Sequence, residues 1–127
     1  MKFVVTLIVA FFIFFNSQNP KNNIQGTWLM YKVIQNGKDV TLEHDPYHER
    51  FLILKSDCSF ESGGRPFGKN TGKYEFNENE NKLFLDSDTG PEDDSFWNVT
   101  IKSDTMFWRG YGSEWAEAFE LIQVKKK

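Results

Sequence analysis

Ile24-Gln25-Gly26-Thr27-Trp28-Leu29-Met30-Tyr31-Lys32-Val33-Ile34 is rich in β-branched and aromatic residues, and it stops at Asn36-Gly37, the strongest short hairpin dipeptide. Working outward, the same alternation of strand-like runs and turn signals recurs every eight to twelve residues. A brief segment at 40–42 precedes a polar loop through Asp45-Pro46. The run 51–55 reads as a strand buried on both faces, and Ser56-Asp57 turns it back into 58–62, which ends at Gly63-Gly64. Gly63-Gly64 and Gly68 surround Arg65-Pro66-Phe67 in what reads as a loop. Runs 72–76 and 82–85 flank the polar tip 77–81, runs 95–102 and 105–111 flank Ser103-Asp104, and a last run spans 115–124. Only 113–120 would tolerate a helical turn. The links are too short for parallel crossovers, so eight main strands form a sequential antiparallel meander. Closure removes the exposed edges of such a meander. The expected fold class is therefore all-β, an eight-stranded antiparallel up-and-down barrel.

Upstream of this stretch, Met1-Lys2 leads into thirteen residues, 3–15, in which Thr6 is the only polar side chain, before Asn16-Ser17-Gln18-Asn19-Pro20 breaks the pattern. A positive residue, a short apolar run and a polar exit describe a secretory signal peptide. As a helix the run would be about 20 Å long, short of the ~30 Å hydrocarbon core, so no stable membrane span is expected. The expected organisation is a signal peptide at 1–17, a polar leader at 18–23 and one barrel domain at 24–127. A periplasmic or secreted location follows from it. No Cys follows the apolar run, so there is no thiol for a lipid anchor.

The whole chain has 127 residues, enough for one core, and a formal charge of −3 without a Lys/Arg cluster, which argues against nucleic acid as a partner. The terminal Lys125-Lys126-Lys127 reads as a frayed, solubilising tail. Cys58 is the single cysteine, so no internal disulfide can form and packing alone must hold the domain together. One internal echo, Leu54-Lys55-Ser56-Asp57-Cys58-Ser59-Phe60 against Ile101-Lys102-Ser103-Asp104-Thr105-Met106-Phe107, is read as convergent turn chemistry: Asp bonds to backbone two residues on.

Gly26-Thr27-Trp28 at the start of the first strand of an eight-stranded meander resembles the opening of the lipocalins and their calycin relatives. The resemblance is sharper to small exported lipocalin-like domains of Bacteroidota, which open with Ile-x-Gly-x-Trp and continue through an Asn-Gly turn. It spans roughly residues 24–124. It implies that the glycine lets the chain enter the barrel closely and that the indole plugs the closed end. It also implies a late-strand Arg or Lys stacked across that indole, for which Arg109 is the best candidate. Gly26, Trp28 and Arg109 are thus expected as fold-closure residues rather than ligand contacts. The chain is shorter than the larger lipocalins and lacks their disulfide. The avidins open similarly, but Leu29-Met30-Tyr31 replaces the polar residues that would hold biotin.

Eight Phe, four Trp and four Tyr remain after the apolar leader, many for a barrel filled only by its own side chains. Alternation offers two faces per strand. The face shared with Trp28 carries Met30 and Ile34, against Leu29, Tyr31 and Val33; Tyr74 and Phe76 share a face against polar Lys73 and Glu75; Trp97, Val99 and Ile101 share another. On the second strand Phe51 and Ile53 compete with Leu52 and Leu54, and at 105–111 both faces are bulky. Met30, Tyr74, Phe76, Trp97, Met106 and Trp108 are the candidate ligand-binding residues, the two methionines adding adaptable surface.

His44-Asp45-Pro46-Tyr47-His48-Glu49 is the one cluster with metal-ligand chemistry, but Pro46 disfavours the helix that would bring both imidazoles together. The acidic loop 86–94 places its glycine out of register with a calcium-binding loop. Neither is expected to hold a metal, and no cofactor is expected. No nucleophile, metalloprotease or phosphate-loop motif is present, so no catalytic residue is assigned. The expected function is non-catalytic binding of a small apolar or amphipathic molecule. The alternative is a filled barrel acting through its surface as a protein-interaction or inhibitor module. A void of at least about 300 Å³ opening near 44–49 would favour the first.

Overall fold

β1 (Gly26–Gln35) bonds to partners on both sides, and that double pairing closes the sheet. In this computed structural model residues 24–127 are described; the expected signal peptide and polar leader lie outside them. After β1 come β2 (Lys38–Asp39), the one-turn helix α1 (Thr41–His44), β3 (Phe51–Leu54), β4 (Ser59–Gly64), β5 (Phe67–Asn77) and β6 (Lys82–Ser87). A 3-10 turn (Pro91–Asp93), β7 (Ser95–Lys102), β8 (Thr105–Gly110), the one-turn helix α2 (Glu114–Glu117) and β9 (Phe119–Lys125) complete the chain. Every pairing is antiparallel between sequence neighbours except β1–β3, which passes over the two-residue β2, and β1–β9. The result is a closed eight-stranded barrel, as expected, with β2 as a short flap on β1.

The closure is long. Trp28 pairs with Lys125 at one end and Gln35 with Phe119 at the other, with a bulge between Met30 and Lys32. The bulge shifts the alternation of β1, so that Val33 enters the core where strict alternation from Trp28 places Ile34. Gly26 has φ +134°, a conformation that favours glycine, and a Cβ there would lie 2.7 Å from Lys125 Cε, so the glycine leaves room for the Lys125 side chain from β9. Trp28 is fully buried beneath this seam and donates its indole N–H to Ile24 O at 2.9 Å. Leu54, Phe60, Tyr74, Leu83, Val99 and Met106 pack in one core with the indole and fill the half of the barrel nearest it. On β3 the inward pair is Leu52 and Leu54, which settles the alternative that alternation left open.

Four sequence readings need correction. Residues 40–42 are not a strand: Asp39 Oδ1 accepts the Thr41 amide at 2.9 Å, Thr41 Oγ1 accepts from Val33 N at 3.0 Å, and the chain coils into α1. This lets Val40 bury itself against Val33 and Phe119. The region around Gly68 is not a loop either, because β5 begins at Phe67 and pairs through Asn70 and Thr71 with β4. Segment 115–124 is not continuous strand: α2 interrupts it, capped by Ser113 Oγ accepting from Ala116 N at 3.1 Å. The C-terminal lysines are docked, with Lys125 in β9, Lys126 N bonded to Thr27 O at 2.8 Å and Lys127 paired with Asp104 at 2.8 Å. The echoed turns differ in build: the first turns left-handed at Cys58, after Asp57, the second at Ser103, before Asp104.

Candidate functional site

An up-and-down barrel sends alternate connections to opposite ends. The β3–β4, β5–β6 and β7–β8 turns lie at the end plugged by Trp28. Segments 36–50, 65–66, 88–94 and 111–118 lie at the other. There the core loosens into two tiers. The inner chamber has a volume of about 180 Å³ and is walled by Met30, Leu52, Phe60, Leu85, Trp97 and Trp108, with Ser62, Asn70 and Gln123 as polar members. Above it an outer vestibule of about 360 Å³ is bordered by Val33, His44, Phe67, Trp115 and Phe119. Arg50, Asp93, Ser95, Trp97 and Leu121 belong to both tiers and form the throat between them. The inner tier alone is smaller than the void expected for a ligand barrel. The outer tier is an open hollow rather than an interior void, and it includes His44, within the segment where the opening was expected.

The throat is built by local hydrogen bonding. Asp45 is 1% exposed, and its Oδ1 accepts the backbone amides of Glu49 at 2.8 Å and Arg50 at 3.1 Å. That clamp folds the connection back on itself at the start of β3 and delivers Arg50 to the rim. The Arg50 guanidinium lies 4.5 Å from the centre of the Phe67 ring. Burial pulls its pKa downward, and the nearby Asp45 carboxylate pulls the other way. Opposite, Trp97 donates Nε1 to Ser95 Oγ at 2.9 Å and packs on Trp108 with ring centres 5.0 Å apart. His44 sits edge-on to Phe119 at 5.7 Å.

Of the six expected ligand contacts, Met30, Trp97 and Trp108 meet in the inner chamber. Tyr74, Phe76 and Met106 pack instead in the filled half. Tyr74 reaches down to donate its hydroxyl to Lys55 O at 2.8 Å in the β3–β4 turn, and Met106 is wholly buried. They share the inward direction with the others but sit nearer the plugged end, a height that side-chain alternation does not encode. Sequence reasoning missed Arg50 and Gln123. The Asp45 clamp around Arg50 had no sequence signal beyond a polar loop. Gln123 was legible only as a polar residue on the inward face of the last strand.

Gly26 and Trp28 stand at closure, but Arg109 does not cover the indole. Its side chain is directed outward from β8 and bonds Glu120 Oε2 at 2.6 Å across the strand pair. The cation over Trp28 is Lys125, with Nζ 5.2 Å from the ring centre. Arg109 is one residue out of phase with buried Trp108 and so belongs to the outer wall.

The two histidines part company. His44 borders the vestibule, while His48 borders a separate surface hollow with Tyr31 and Leu42. Among the described residues no group of three or more His, Cys, Asp or Glu is placed to hold a metal ion. The acidic loop uses its carboxylates on the protein, Asp94 Oδ1 taking Ser87 N within the loop at 2.8 Å and Asp88 Oδ2 taking Thr71 Oγ1 on β5 at 2.8 Å. No described helix is long and apolar enough to cross a membrane.

With this barrel in place, the sequence was compared with known proteins. The family model for the lipocalin-like domain matches residues 24–108, from the entry of β1 to Trp108. The chain belongs to the lipocalin-like domain family. Among solved structures, this lipocalin-like domain is similar to a DUF4847 family protein from Bacteroides vulgatus, with a TM-score of 0.58 and 11% identity over 81% of this chain and 95% of that one. At that identity the likeness concerns the fold alone. Among curated proteins, none matches the sequence.

Proposed function

We propose that this lipocalin-like domain binds a small apolar or amphipathic molecule through its open mouth, without chemistry, and that it acts in the periplasm or outside the cell. The observation that carries the reading is the two-tier cavity, whose walls supply aliphatic and indole surface and whose throat supplies Arg50, Asp93 and Ser95. The family is one of binding modules, and the closed seam leaves the far end rigid while the mouth is made of connections. Export is supported by Lys2 and the apolar run 3–15.

Native mass spectrometry of the protein purified from its own cell envelope tests the reading. An adduct of constant small mass is expected, and it should vanish in Leu121→Trp, which fills the throat. A clean apo mass under gentle conditions counts against it.

A second reading, a surface-mediated interaction or inhibitor module, draws on the outer wall. There Phe84 and Phe96 stack at 4.7 Å, Tyr111 lies 5.7 Å from Phe96, and Lys82 Nζ lies 4.4 Å from the Tyr111 ring. On that reading the purified protein carries no adduct, and Phe96→Ser abolishes capture of its partner.

A further inference from the structure

The inner chamber contains a polarity that its apolar walls do not explain. Trp108 is 5% exposed and Gln123 2% exposed, and both line the chamber. Neither Trp108 Nε1 nor Gln123 Nε2 has a hydrogen-bond partner among the described residues. The other indoles in the barrel show the contrast, since Trp28 donates to Ile24 O and Trp97 to Ser95 Oγ, each at 2.9 Å. Burying an N–H without an acceptor is costly, and of the three indoles packed inside the barrel the unsatisfied one belongs to a residue that lines the chamber.

The two groups also sit together. In the β8–β9 register Met106 faces Gln123 and Trp108 faces Leu121, so Trp108 and Gln123 are diagonal neighbours on the inward face. Such positions lie about 7–8 Å apart along the sheet, within reach of one atom held between two long side chains. An indole N–H can only donate, which fixes the sign of the complementary group as an acceptor; the Gln123 amide adds a second donor. For size, a dry cavity of about 150 Å³ takes up benzene, and this chamber is about 180 Å³. For charge, Arg50 at the throat is opposed by Asp93, and Glu92 and Asp94 add negative charge to the vestibule, so the entrance disfavours an anion.

We propose that the inner chamber selects an uncharged, ring-sized molecule bearing a carbonyl oxygen, which accepts hydrogen bonds from Trp108 Nε1 and Gln123 Nε2. The proposal rests on the ligand-binding reading above and specifies its chemistry. Acetophenone, ethylbenzene of nearly the same shape without the oxygen, and benzoate are titrated into the intact domain. Affinity is read by calorimetry and the indole N–H resonances by ¹H–¹⁵N correlation, with Trp108 assigned through Trp108→Phe. Acetophenone is expected to shift the Trp108 resonance and to bind about tenfold more tightly than ethylbenzene. Gln123→Met, which keeps the chamber filled and apolar, is expected to narrow that ratio to about threefold. Equal affinity for acetophenone and ethylbenzene overturns the acceptor proposal while leaving the ligand-binding reading intact. Tighter binding of benzoate overturns the uncharged class. Binding that perturbs Trp115 and leaves Trp108 unmoved overturns the inner site. No binding by any of the three overturns this proposal, while the envelope adduct decides the parent reading separately.

Discussion

Lys125, in the last strand, stands over Trp28, in the first, its Nζ 5.2 Å from the centre of the indole. The two residues are also cross-strand partners in the pairing that closes the barrel. One contact therefore joins the ends of the meander, seals its plugged mouth and shields the most deeply buried aromatic ring.

Truncating the plug should cost far more than removing its cover. Trp28→Ala is expected to destabilise the domain by about 3–5 kcal/mol, as loss of a buried aromatic does. Lys125→Met should cost about 0.5–1 kcal/mol, while Arg109→Met, which breaks only an exposed pair with Glu120, should cost about 0–1 kcal/mol. Urea unfolding midpoints order the three, and an Arg109 effect above that of Lys125 would reverse the assignment of the closing cation.

Gly26→Ala tests the close approach of the first and last strands. The new methyl meets Lys125 Cε at 2.7 Å and must adopt a φ of +134° that side chains rarely tolerate. A loss of about 1–3 kcal/mol is expected, measured as a fall in melting temperature. Pairing with Lys125→Ala should recover the steric part and leave the backbone part.

Asp45→Ala should loosen the mouth without opening the plug. It removes the carboxylate that takes the Glu49 and Arg50 amides, at an expected cost of about 1.5–3 kcal/mol. Hydrogen exchange should accelerate at those two amides and leave the Trp28 amide protected.

Alkaline sensitivity should trace to Tyr74. Burial, with lesser contributions from Cys58 and Asp57, raises its pKa from 10.0 to about 12. The unfolded chain therefore loses this proton first, so the stabilisation is complete below pH 10 and drains away as the pH climbs toward 12. Tyr74→Phe should flatten the stability profile across that window, read by denaturant unfolding at stepped pH. At the acid end the sign is opposite. Hydrogen bonds from Thr41 lower Asp39 from 3.8 to about 2, so its contribution is present above pH 3.8 and lost as the pH falls to 2.

Individual residues show how much could be read in advance. Gly26 and Trp28 were legible through the Gly-x-Trp resemblance to the lipocalins, and the barrel bears the reading out with a positive φ at Gly26 and a fully buried indole at Trp28. Met30 and Trp97 were legible as inward-facing, but so were Tyr74 and Phe76, which pack around the plug; Met106 and Trp108 were candidates on a strand whose two faces are equally bulky, and both prove to be inward. Alternation reports the direction of a side chain, whereas the cavity depends on its height along the axis. Arg109 and Lys125 show the complementary problem. Both are late-strand cations, and the choice between them turns on a one-residue phase in β8 and on the register of β9 against β1.

The amino-acid sequence by itself determined the antiparallel meander and its closure, because turn chemistry and two-residue alternation act over a few neighbouring positions, and the resemblance carried by Gly26-Thr27-Trp28 named the plug. Only the tertiary structure decided where the cavity opens, which cation seals the other end and which buried donors are left unpaired on residues beside the chamber. Those outcomes come from side chains on strands far apart in sequence meeting across one interior, and their meeting depends on register, bulge and height together.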